Sequence, residues 1–152
     1  MTHYEIQAQR EALLRENKIR FKQLNIQFEV QKHEIRRMRD VALQRERNYC
    51  DAYLAAKYDE RRHIKSDIVA ARRAEDATAI AAALAQLAEN GEVIAAIRQA
   101  HMERVNGIEM DFLNKERGYA MQKVEELDKL ASELTIKLTE LDEMRAEGGE
   151  AL

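Results

Sequence analysis

The sequence predicts an all-α fold, an elongated coiled-coil helical hairpin with an overhanging N-terminal helix, and three observations carry that expectation. No proline occurs anywhere in the 152 residues and no glycine before Gly91, so nothing forces an early helix to stop. Apolar residues recur at intervals of seven over long stretches. The composition, 35% charged and 5% aromatic with no tryptophan, suits long helices with little compact core. Disorder is disfavoured, because 45% hydrophobic residues on a helical period bury surface that a disordered segment cannot.

The first element is expected over 2–89. Thr2 stands three residues before Glu5, the spacing at which hydroxyl and carboxylate reciprocally cap the first free amides. Such a helix is roughly 130 Å long at ~1.5 Å rise per residue, too long to hide in a globule. Counting sevens from Leu14 gives Leu14, Phe21, Phe28, Ile35, Ala42, Tyr49, Ala56 and His63, a sustained apolar seam. Its companion positions, among them Asn17, Leu24, Gln31 and Met38, are more polar. Ile19, Ile26 and Val30 fall on the other side, at i, i+7 and i+11, so the stretch near 13 to 38 is apolar on two faces. A segment of that kind is expected between two neighbours.

Residues 69 to 100 are rich in alanine, which favours helix and lets helix axes approach closely. In their midst Asn90-Gly91 is the strongest turn signal, and the reversal is expected at 90–91. A second coiled-coil helix follows over 92–146. Ile94, Ile97 and His101 recur eleven residues later as Val105, Ile108 and Phe112, a period that keeps a stripe nearly straight. Gly107 and Gly118 mark a weak point near 106–118, where the helix can break or another backbone can come close. Beyond it Leu113, Ala120, Leu127, Leu134 and Leu141 form a seven-residue seam reinforced by Leu130, Leu138 and Met144, until Gly148-Gly149 releases a flexible acidic tail over 147–152.

On these boundaries the second helix reaches back only to about residue 35, and the first third of the chain has no partner within itself. The expected protein interface is therefore Leu14, Ile19, Phe21, Leu24, Ile26, Phe28, Ile35 and Met38, with Leu127, Leu130, Leu134 and Leu141 on the second helix. Its partners are further copies of the chain, other proteins of a large assembly, or both. Charge adds to this: residues 1 to 73 hold 17 basic and 11 acidic side chains, residues 74 to 152 hold 8 and 17, so the halves complement one another.

Chemistry is not spelled out. His3, His33, His63 and His101 are scattered, and the one Glu60-Arg61-Arg62-His63 lacks the second motif that a di-iron bundle requires. Ser66 and Ser132 sit on no glycine-rich elbow, Cys50 has no sequence-adjacent histidine, and no glycine-rich phosphate loop occurs. No catalytic residue, metal ligand or cofactor is expected. Lys32, Arg36, Arg37, Arg39, Arg45 and Arg47 are interleaved with Glu34, Asp40, Glu46 and Asp51, which favours a solvated or docking face over a phosphate track, and nucleic acid is not expected as the partner.

The single cysteine suits a reducing interior, and the N-terminus lacks the order of a secretory signal. The longest uncharged run, Ala77 to Ala88, is twelve residues, short of a bilayer span. The expected location is the cytoplasm or the inside of a virus particle.

In length, absence of proline and helical monotony the chain resembles internal or scaffold-type components of tailed-phage particles, which implies a structural role. In size and architecture it is also similar to two-helix stalk proteins of flagellar and injection-type export systems, which implies a stalk, adaptor or chaperone. Those stalks have evenly matched helices, and a reversal at 90–91 would be far off-centre. A nucleic-acid-associated helix is a third expectation, ranked last.

Overall fold

Two helices account for the computed structural model, which describes residues 2–150. Helix α1 is His3–Arg73, 71 residues, and α2 is Ala77–Glu150, 74 residues; no strand occurs among the described residues. The start of α1 is capped as its sequence dictates. The Glu5 amide donates to Thr2 Oγ1 at 3.2 Å and the Thr2 amide donates to Glu5 Oε2 at 3.0 Å.

The reversal lies at residues 74–76, not at 90–91. Here α1 closes in a paired capping motif: the Asp76 amide donates to the Ala71 carbonyl at 3.0 Å, and the Glu75 amide to that of Arg72 at 3.1 Å. Glu75 takes the left-handed conformation, φ 53°, a place usually given to glycine. Asp76 then begins α2, its Oδ1 accepting from the Ala79 amide at 3.1 Å. Asn90 and Gly91 instead lie inside α2, and no glycine among the described residues has positive φ. The Asn90 amide group is drawn across to α1, where its Nδ2 donates to the Lys57 carbonyl at 3.0 Å. That contact holds Asn90 in the helix against its turn propensity.

Three further expectations are corrected with this boundary. The first helix ends at Arg73 and not at 89, and α2 begins at Ala77 and not at 92. The N-terminal third does not overhang, because Met1–Arg36 packs with Leu113–Leu152 as one compact unit and Arg37–Phe112 forms another. In the first unit Arg10 Nη1 meets Asp142 Oδ1 at 2.9 Å and Arg36 Nε meets Glu116 Oε1 at 2.8 Å. Helix α2 also continues through 106–118 and takes in 147–150 of the expected tail; residues 151 and 152 lie outside the described residues. Gly107 and Gly118 stay helical, and nothing within 4 Å would meet a Cβ at either one. Neither marks a close approach within the chain.

The side chains that turn inward follow a period of eleven, not seven. On α1, Ile6, Asn17, Phe28, Arg39, Cys50 and Arg61 are all buried or half-buried, as are Leu13, Leu24, Ile35, Glu46, Lys57 and Ile68. On α2 the same holds for Ala79, Asn90, His101, Phe112, Lys123 and Leu134, and for Ala83, Ile94, Val105, Glu116, Leu127 and Leu138. Eleven residues make three turns at ~3.67 residues each, close to the natural helix, whereas a strict seven drifts by ~20° per repeat. The drift explains why the seam counted from Leu14 is inward only in part. Leu14 and Phe21 are 44% and 47% exposed, Phe28 and Ile35 are 7%, and Tyr49 is again 66%.

Within the unit Arg37–Phe112, Ile64, Ile68 and Ala83 form a buried apolar cluster near the turn, with Leu87 packed against it. Alanines there let the two backbones lie close. By length and composition alone, one 18-residue window within 77–148 is apolar enough to cross a membrane, with mean hydropathy 1.3. The expectation of no span counted only the uncharged run; the window passes because alanine content offsets interspersed charges.

Candidate interaction surface

The twelve side chains expected at an interface fall into three groups. Phe28, Ile35 and Leu141 are buried against the opposite helix of their own unit. Leu24, Leu127, Leu130 and Leu134 are half-buried. Leu14, Ile19, Phe21, Ile26 and Met38 are exposed. Part of the expected interface is thus the protein's own helix contact.

What remains is the second apolar face of α1. Ile19, Ile26 and Val30 are 56%, 63% and 62% exposed, although Phe28 and Ile35 on the opposite face of the same stretch are covered. At 100° per residue the three lie within about 40° of one another around the helix. Helix α2 occupies one of the two apolar faces that the sequence provides and leaves the other to solvent. These three exposed β-branched side chains form a row along that side of α1. The unit Met1–Arg36 with Leu113–Leu152 also presents Met121, Val124 and Ile136 on α2.

No protein-family model matches the chain, and no curated protein or solved structure is significantly similar to it.

The other polar constellation is in the unit Arg37–Phe112. Glu46, only 13% exposed, accepts from Arg104 Nε at 2.6 Å and lies 3.2 Å from His101 Nδ1. The hydrogen bond from Arg104 holds the Glu46 carboxyl below its ordinary value; burial opposes this and His101 assists it. The same bond raises the Arg104 guanidinium above its ordinary value. This arrangement fastens two helices, and among the described residues no cluster of three or more His, Cys, Asp or Glu could hold a metal ion. Sequence reasoning named Glu46 only as an interleaved acid, and missed its partners because His101 and Arg104 lie on the other helix, some 55 residues away.

The basic stretch of α1 is partly engaged within the chain. Arg36 pairs with Glu116 and Arg39 with Asp40. Farther along, Arg62 pairs with Asp59, and Arg98 contacts the Tyr58 hydroxyl.

Proposed function

We propose that the protein is a non-enzymatic coiled-coil hairpin that acts by docking other chains, and that it serves as a two-helix stalk or adaptor of an export machine. The observation that carries this reading is the central reversal at 74–76, which leaves helices of 71 and 74 residues. Evenly matched helices are the feature of flagellar and injection-type stalks that an off-centre turn would have lacked. The open row of Ile19, Ile26 and Val30 supplies a face for a partner.

A second reading is favoured by that same row: a structural component of a large assembly, such as an internal or scaffold-type part of a tailed-phage particle, built by self-association through α1. Nucleic acid is the weaker partner class, because acids alternate with the arginines of α1.

Light scattering coupled to size exclusion, run over a hundredfold range of concentration, tests the choice. A single-chain mass throughout, with co-elution when the ATPase ring of an export machine is added, supports the stalk. A mass that climbs to several chains with concentration overturns it in favour of the assembly component.

A further inference from the structure

A hollow of about 270 Å³ opens between the helices within the unit Met1–Arg36 with Leu113–Leu152. That size is near the lower end of the ~300–1,000 Å³ of small-molecule sites. Its apolar lining includes Phe28 and Ile35, both 7% exposed, and Leu113. Around this lining stand Lys32, Arg117 and Lys123, with Glu29 and Glu116 as the only acids. Glu116 is committed to Arg36 at 2.8 Å, while Lys32, Arg117 and Lys123 form no ion pair among the described residues.

Two of those cations, Lys32 and Lys123, are half-buried and occupy positions of the inward eleven-residue stripes or beside them. Glu116 is engaged with Arg36 and the exposed Glu29 pairs with neither lysine, so both ammoniums stand beside an apolar wall with no ion-pair partner of their own. A ligand anion placed there would supply one, and the apolar lining would hold the body of the same molecule.

From this juxtaposition we infer that the hollow is a binding site for a small amphipathic anion, a carboxylate or sulfonate carried on a compact apolar body of one fused ring system or its equivalent. Lys32, Lys123 and Arg117 receive the anionic group; Phe28, Ile35 and Leu113 receive the body. This site is separate from the open row of Ile19, Ile26 and Val30, and does not depend on which docking role the chain serves.

Naphthalene-1-sulfonate is the probe, with 1-naphthalenemethanol as its uncharged counterpart, each titrated into the full chain and followed by amide NMR shifts. The sulfonate is expected to shift amides around Ile35, Leu113 and Lys123 and to bind at least tenfold more tightly than the alcohol. Lys32→Gln with Lys123→Gln is expected to weaken the sulfonate at least tenfold with far-ultraviolet circular dichroism unchanged. Should that variant lose helix content, Arg117→Gln, at an exposed position, takes its place with a smaller weakening of at least threefold. Equal affinity for sulfonate and alcohol overturns the proposal, as does absence of binding. So does loss of sulfonate binding in Ile26→Ser with Val30→Ser but not in the lysine variant, because the probe would then lie on the open row.

Discussion

Single residues decide where this chain reverses and how its helices are fastened. Asp76 satisfies the third amide of α2, and the Asp76 amide itself closes α1 by bonding Ala71. Asp76→Ala should therefore cost about 1 kcal/mol, the usual loss of an N-cap. Glu75→Gly should act oppositely, gaining about 0.5–1 kcal/mol by removing a Cβ from a left-handed position, less the extra freedom glycine gives the unfolded chain. Urea midpoints at constant slope check both. Glu46 adds a pH dependence. Its folded carboxyl binds a proton less readily than an unfolded one, whose ordinary value is 4.5. The unfolded state thus takes up more protons in acid, so the stability from this pair is fully present above the unfolded value and is lost as pH falls through it toward the folded value. Wild type and Glu46→Gln should differ most at neutral pH and draw together as the pH falls below 4.5. A gap independent of pH would show that the carboxylate charge contributes nothing.

At the scale of the helices, the absence of any contact at Gly107 and Gly118 has a direct consequence. Both are helical and face open space, so each keeps the entropic cost of glycine without using its small size within the chain. Gly107→Ala and Gly118→Ala should each raise stability by about 0.5–1 kcal/mol and together nearly add, since they lie eleven residues apart. Thermal and urea unfolding of the two singles and the double variant test this. Should either substitution destabilise, a partner must approach that glycine in solution. The same helices show what a sequence reveals. The all-helical class follows from missing proline and from apolar spacing, and the capping box at Thr2 and Glu5 forms with the predicted partners. The inward register does not, because Arg39, Glu46, Lys57, Arg61, Glu116 and Lys123 occupy inward positions, and counting apolar residues passes over them. The turn was hidden for a related reason. A glutamate in the left-handed position looks like ordinary helix, while Asn90-Gly91, a strong local signal, is overridden by the bond from Asn90 to Lys57. Of the candidate interface, the two-faced character of 13–38 was legible; which face α2 would take was not.

For the whole molecule, the question is whether the open face of α1 takes up another chain. Charge complementarity is partly used inside the chain, through Arg10 with Asp142 and Arg36 with Glu116, yet such half-exposed pairs are worth at most about 1 kcal/mol each. Any association with another chain would then rest mainly on apolar burial. Among the aliphatic side chains of α1, Ile19, Ile26 and Val30 have the most to gain from it, since each leaves more than half its surface in water. Ile26→Asp with Val30→Asp should abolish binding to the partner chain, or self-association if the partner is a second copy. Helix content should be nearly unchanged, because both side chains point away from α2. Phe28→Ala is the informative comparison: 7% exposed and facing α2, it should lower stability by about 3 kcal/mol and affect association only through unfolding. If the double aspartate variant bound its partner as wild type does, the open row would be an ordinary solvated face and docking would have to be sought elsewhere on the chain. If it lost helix content to the same extent as Phe28→Ala, the two faces of α1 would not be independent. Unbound but fully helical protein is the one result that assigns the row to recognition.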